Sequence, residues 1–229
     1  NKNKIVELLD ELSPEAQLIG AVNTVLNDNG KLIGYNTDGY GFMQSVRDAG
    51  HDITGKNITV MGVGGASMAI CAQSALDGAA SVHIFARHTS RYWNRTQKFA
   101  ENLSAKTGCQ VCLFDNDDHT ALRDSIAQSY LLINATSVGM VPDIDDTIIK
   151  DTSLFHPELV VADVVYEPQE TRLLREAKAA GCQTFNGMYM LLHQGAKAFH
   201  RILGFISRFN TISSPSFQVR FKEKYFSVK

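Results

Sequence analysis

No apolar run in the 229-residue chain approaches the ~18 residues that a membrane-spanning helix requires. Charge of one sign is missing as well. The 22 Lys and Arg stand against 24 Asp and Glu, a net charge of −2, which removes the electrostatic case for nucleic acid or an anionic membrane surface. Cysteine is scarce: Cys71, Cys109, Cys112 and Cys182 are the only four. Cys109 and Cys112 have C-x-x-C spacing, but they sit in a strand-like segment where side chains three apart face opposite ways. No second pair or nearby histidine completes a zinc site, so these read as structural cysteines and no metal is expected. The opening NKNKIVELLDEL reads as a helix start, not a secretion signal, and the expected compartment is the cytoplasm. Internal repeats and low-complexity stretches are absent. With 44% hydrophobic and 20% charged residues, the chain can bury a real core, in one large domain or two small ones.

The most informative stretch is Lys56–Ser67. An apolar run, Ile58 to Met61, reads as a buried strand. Gly62, Gly64 and Gly65 make a tight turn, and Ala66 to Leu76 has helical character. Strand, glycine turn and helix present backbone N–H groups and a helix N-terminus to a phosphate. A glycine-rich turn between strand and helix can also be mere punctuation, and Ser67 stands where the third glycine of G-x-G-x-x-G would be.

Around this stretch the pattern alternates. Strands are expected at 58–61, 82–86, 110–114, 129–133, 159–164 and 183–185. Helices are expected near 66–77, 92–105, 119–127, 169–180 and 188–202. Such alternation argues for an α/β fold, a parallel sheet with helices on both faces. Upstream, Ile5, Leu8, Leu9 and Leu12 follow a helical spacing over 3–12, which Ser13-Pro14 would end. Gly20–Leu26 and Lys31–Tyr35 read as strands joined at Asn29-Gly30, the strongest short hairpin signal. A helix is expected over Tyr40–Asp48 and a linker over Gly50–Lys56. The tail Phe205–Lys229 alternates aromatic and basic residues, as a terminal element with a solvated face or a nucleic-acid arm would; the overall charge argues against the arm.

In a dinucleotide fold the second strand ends beside the adenosine ribose, where an acid selects the plain hydroxyls and an arginine selects a 2′-phosphate. Here that strand runs into Arg87-His-Thr-Ser-Arg91, with no acid, which favours NADP over NAD if the arginines are more than ordinary surface charges. Asp38, in Asn36-Thr-Asp-Gly39, reads by itself as a helix cap or turn residue. Lys2 by itself says nothing. His193 and Gln194 lie on the last helix, where polar residues are common.

Taken together, Asn1-Lys2, Asp10–Thr24, Gly34–Phe42, Gly62–Ser67, Asn134–Met140, Asp163–Thr171 and Met190–Ala196 resemble, in order, the motifs of the shikimate and quinate dehydrogenases. The resemblance implies a Rossmann-like cofactor lobe, part of a smaller α/β substrate lobe, and NADP-dependent reversible reduction of 3-dehydroshikimate to shikimate, with quinate oxidation as a further activity and NAD as a second cofactor. It matches Lys2 and Asp38 to the catalytic pair, and Asn23, Tyr166 and Gln194 to substrate contacts. Gly62, Val63, Gly64, Gly65 and Ala66 match the pyrophosphate loop, and Arg87 and Arg91 the 2′-phosphate clamp. Ser137, Val164, Gly187 and Met190 match the nicotinamide side. The implied organisation is 1–38 as a partial substrate lobe, 39–49 as a connecting helix, 50–193 as the cofactor lobe, and 194–229 as a helix and tail returning to the substrate lobe. The implied partner is a small molecule, shikimate or quinate, on a monomer or homodimer. The family pattern starts with a paired-serine segment that this sequence does not show. A cofactor-binding module without turnover is therefore the alternative expectation. The family's Gly-x-Gly-Met also reads Gly187-Met-Tyr-Met190, and Ala86 replaces the Asn that often precedes the first arginine.

Overall fold

The computed structural model describes residues 4–203. Lys2 and the 205–229 tail lie outside the described residues. After a short 3-10 helix at Lys4–Leu8, a small sheet is built from β1 (Glu11–Leu12), β2 (Thr24–Asp28) and β3 (Lys31–Tyr35), with α1 (Pro14–Ile19) between β1 and β2. β3 lies in the middle, parallel to β1 and antiparallel to β2. The hairpin turns at Asn29 (φ 51) and Gly30 (φ 97), the positive-φ pair that Asn-Gly accommodates.

Of the helix expected over 3–12, only the five-residue 3-10 turn at Lys4–Leu8 forms among the described residues. Its apolar spacing is real, but Asp10 accepts the Leu32 backbone N–H at 2.7 Å and pulls the chain onto the edge of β3 instead. Ser13 does not end a helix; its Oγ accepts from Ala16 N and caps α1, with Pro14 in the first turn. The strand expected at 20–26 starts later, at Thr24, because Gly20 (φ 65) closes α1 in the left-handed conformation.

The main body follows: α2 (Asp38–Asp48), β4 (Asn57–Met61), α3 (Gly65–Leu76), β5 (Ser81–Ala86), α4 (Trp93–Thr107), β6 (Gln110–Asp115), α5 (His119–Gln128), β7 (Leu131–Asn134), β8 (Val160–Asp163), α6 (Arg172–Ala179), β9 (Gln183–Phe185) and α7 (Met188–Leu203). The six-stranded sheet has the order β6-β5-β4-β7-β8-β9, parallel throughout. Each strand expected here is present, and boundaries differ by a residue or two. α2 begins at Asp38 rather than Tyr40, after Thr37.

The two-residue period of the strands divides the core between two layers. Ile58, Val60, Val82, Ile84, Leu131 and Ile133 face one side, with Ile70, Ala69 and Ala72 of α3 and Phe42 of α2. Met61, Phe85, Leu132 and Val161 face the other, with Ile126 of α5 and Leu173, Leu174 and Ala177 of α6. α2 lies between α3 and α7, and two glycines let it approach. A Cβ at Gly39 would stand 2.3 Å from Ala69 O, and one at Gly41 2.6 Å from Met190 O and 2.7 Å from Gln194 N. His193 is buried, with its Nε2 2.9 Å from Asp48 Oδ2, so it faces α2 rather than solvent. Cys109 is buried, and burial pushes its thiol up to about 11; among the described residues no group of side chains could hold a metal ion. No described helix is long and apolar enough to cross a membrane.

Candidate active site

The chain winds outward from β4 through β5 to β6, then returns to β7 on the other flank of β4 and winds through β8 to β9. At such a reversal the loops leave the strand ends in opposite directions and open a crevice. Here it holds a cleft of about 1290 Å³ above the C-terminal ends of the strands. It brings together Gly62–Ala66, Arg87, Arg91, Ser137, Val164 and Tyr166, residues from separate segments of the chain.

The floor is the turn after β4. Gly62 has φ 110, and a Cβ there would meet Thr136 Cγ2 at 2.8 Å, so this position is restricted to glycine twice over. Gly64 is the N-cap of α3 and makes no side-chain cap bond; a Cβ at Gly64 or Gly65 would meet nothing within 4 Å. The first N–H groups of α3 thus face open space beside a positive helix end, a cradle for an anionic group. Ser67, in place of the third glycine, is fully buried and donates its Oγ–H to Gly62 O, closing the turn from inside.

At one end of the cleft the turn after β5 carries Arg87 and Arg91, both exposed and with no carboxylate in their own loop. Arg91 donates to the Tyr92 hydroxyl at 2.7 Å and lies over its ring. Asn116, just past β6, lines the same end, and its Oδ1 is shielded with no hydrogen-bond partner among the described residues. At the other end the loops after β7 and β8 face each other. Ser137, Met140 and Val141 come from one, and Val164 and the exposed Tyr166 from the other. Tyr92, Asn116, Val141 and Ile148 lie outside the motifs, and Met140 ends one of them without an assigned role; all five line the cleft. They are ordinary residue types in loops, and only the fold turns them inward.

Beneath those loops lies a buried carboxylate. Asp163 is fully buried, and burial pushes its carboxyl above the ordinary carboxylate range, although hydrogen bonds from Val165 N, Thr171 Oγ1 and Asn134 Nδ2 favour the ionised form.

On the small-sheet side, Asn23 and Asp38 meet. Asn23 Nδ2 donates to Asp38 Oδ1 at 2.8 Å and to Thr37 Oγ1 at 3.1 Å, while Asn23 Oδ1 accepts from Thr37 N at 3.1 Å. Asp38 N in turn donates to Asn36 Oδ1 at 3.1 Å. Asp38 and Gly41 are one turn apart on α2, and Gly41 is packed on Gln194, so α7 brings Gln194 alongside the face that begins at Asp38. Gln194, Met190 and Gly187 do not line the large cleft itself. Gly187 stands behind its wall, where a Cβ would come within 2.0 Å of Val164 O.

A doubly wound parallel sheet with an uncapped helix start and a glycine turn at its switch point defines a Rossmann-like protein of the dinucleotide-binding type. No family model matches the chain. It is 51% identical over 199 residues to shikimate dehydrogenase (NADP(+)) of Listeria innocua, spanning 87% of this chain and 68% of that protein. It is 42% identical over 199 residues to quinate/shikimate dehydrogenase of Escherichia coli, spanning 87% of this chain and 69% of that protein. The crystal structure of shikimate 5-dehydrogenase from Listeria monocytogenes, in complex with shikimate and NAD, superposes with a TM-score of 0.89 at 48% identity, covering 93% of this chain and 73% of that one. The chain belongs to the shikimate dehydrogenase family of NAD(P)-dependent oxidoreductases.

Proposed function

We propose that the chain carries out NADP-dependent, reversible reduction of 3-dehydroshikimate to shikimate, with quinate oxidation as a second activity and NAD as a weaker cofactor. The observation that carries this reading is the cleft itself. An open anion cradle at Gly64–Ala66, two arginines at one end and the Ser137, Val164 and Tyr166 walls at the other, in one cleft of about 1290 Å³, suit a phosphorylated dinucleotide.

In this reading 1–38 contribute to the substrate lobe, 39–49 connect, 50–193 hold the cofactor, and 194–229 return towards the substrate. Gly62–Ala66 hold the pyrophosphate, and Arg87 and Arg91 the 2′-phosphate. Ser137, Val164, Gly187 and Met190 shape the nicotinamide side. When bound, the reduced nicotinamide supplies the hydride that a ring ketone needs. Asn23, Tyr166 and Gln194 orient the substrate through its hydroxyls. Lys2 donates to the carbonyl oxygen, stabilises the charge that develops there and passes the proton, while Asp38 orients that ammonium and binds a ring hydroxyl. The Asn23–Asp38 hydrogen bond supports this assignment, because it holds the carboxylate still before substrate arrives.

Calorimetry with NADP and steady-state oxidation of shikimate and quinate test the proposal. Micromolar NADP binding with shikimate turnover is expected. NADP binding without turnover would leave a cofactor-binding module, and no NADP binding would overturn the reading of the cleft.

A further inference from the structure

Asn134 and Asp163 are the last residues of β7 and β8 and face each other in register. Both are fully buried. Neither lines the cleft, yet the network reaches Thr136 and Val138 on one side and Val165 on the other, which do, and Thr171 at the start of α6. Asn134 Nδ2 donates to Asp163 Oδ1 at 3.0 Å and to Val138 O at 3.1 Å. Asn134 Oδ1 accepts from Thr136 N at 3.1 Å and from Thr136 Oγ1 at 2.6 Å. These bonds fix the turn that carries Ser137. On the other side Asp163 Oδ1 accepts from Val165 N at 2.9 Å, and Oδ2 accepts from Thr171 Oγ1 at 2.8 Å. That fixes the segment carrying Val164 and Tyr166.

A third segment rests on the second. Gly187 N donates to Val165 O at 3.1 Å, and the Gly187 Cα is pressed so close to Val164 O that a Cβ would fall within 2.0 Å of it. Gly187 immediately precedes α7, the helix that bears Gln194. The peptide held by Asp163 is therefore the surface on which the start of α7 sits.

We propose that Asp163 is a positioning residue that registers the nicotinamide walls against the substrate-bearing helix. It acts through Asn134, Val165 and Thr171 and touches neither ligand. This rests on the reading of the cleft given above. A buried carboxylate suits the role because it only accepts, and three donors from three segments converge on it. An amide in its place keeps the shape but turns one acceptor into a donor. Thr171 Oγ1, which already accepts from Leu174 N at 3.4 Å as the cap of α6, would then have to accept again.

The test uses Asp163→Asn, Thr171→Val and Thr171→Ser in the full chain, each checked for folding by its thermal transition. NADPH affinity is set mainly by the glycine turn and the arginines, so its Kd should change less than about twofold in all three. The nicotinamide end should loosen in Asp163→Asn and Thr171→Val. The emission of bound NADPH should move towards that of free NADPH, and kcat with shikimate should fall about tenfold or more, as positioning losses do. Thr171→Ser keeps the hydroxyl and should restore both. Wild-type emission and kcat in folded Asp163→Asn and Thr171→Val overturn the proposal. So does a loss of NADPH affinity equal to the loss of kcat, which would make the network a support of the whole cleft. The emission arm decides the question even if the wild-type chain binds NADPH without turnover. A wild-type chain that binds no NADPH overturns the reading of the cleft, and this proposal with it.

Discussion

Asn23 and Asp38, 15 residues apart, are joined by a 2.8 Å hydrogen bond from Nδ2 to Oδ1 across the junction of the small sheet and α2. The bond exists because the hairpin of β2 and β3 returns the chain to its starting side, so Asn23, just before β2, meets Asp38, just after β3. One amide thereby orients the proposed catalytic carboxylate and, through Thr37 N, the start of the helix that carries it.

Asn23→Ala should leave Asp38 without this donor. Hydrogen bonds to charged groups contribute about 1.5–3 kcal/mol, which is roughly tenfold to a hundredfold in kcat/KM for shikimate. Asn23→Asp should lose more, because it sets a second negative charge against Asp38. Steady-state kinetics with NADP saturating would show it. An Asn23→Ala enzyme with unaltered kcat/KM would remove Asn23 from the substrate site.

Arg87→Ala should weaken NADP binding at least about tenfold and leave NAD nearly unchanged, since a charge-assisted contact to a 2′-phosphate contributes about 1.5–3 kcal/mol. Calorimetry with both cofactors separates the outcomes. Equal losses for NADP and NAD would mean that Arg87 supports the loop after β5 and not the phosphate.

Two glycine substitutions should fail in opposite ways. At Gly39 an added methyl runs into backbone, 2.3 Å from Ala69 O, so Gly39→Ala should cost about 1–3 kcal/mol of stability with no cofactor present. At Gly64 the added methyl meets no protein atom within 4 Å, and its φ of −79° suits alanine. Gly64→Ala should keep the thermal transition and lose cofactor affinity. Unfolding scans with and without NADP read both effects, and a destabilised Gly64→Ala would show that the turn needs glycine for its own backbone.

Acid should weaken the fold through its histidines. Burial holds His51 and His83 below their ordinary value of 6.5, and it does so for His193 despite the neighbouring Asp48. Each is therefore neutral in the folded chain where the unfolded chain begins to take up protons. Stability is complete above about pH 6.5 and falls as the pH drops below it. His51 stacks on Phe185 at 6.4 Å and bonds the Tyr130 hydroxyl at 2.8 Å. His51→Phe keeps the stacking and removes one titration, so its stability should vary less between about pH 5 and 7. Urea unfolding across that range measures the slope, and a slope identical to wild type would exclude His51 as a contributor.

The alternation of strand and helix, the hairpin at Asn29-Gly30, the glycine turn and the motifs of the family are legible in the order of residues. These are local: apolar runs of strand length, φ preferences of Asn and Gly, and residue types in a short order. The opening segment shows the limit. Its leucines have helical spacing, yet Asp10 finds a strand edge that no local pattern announces, and the chain follows it. The third glycine position is a similar case. Ser67 looks like a defect in the motif until the fold shows its hydroxyl bonded to Gly62 O. Folding is what makes Gly39 and Gly41 contact points between helices, sets His193 against Asp48, and bonds Asn134 to Asp163 across adjacent strand ends. Those relationships depend on which residues a sheet of order β6-β5-β4-β7-β8-β9 sets side by side. The partners come from distant parts of the chain, where neither spacing nor propensity carries information about the pairing.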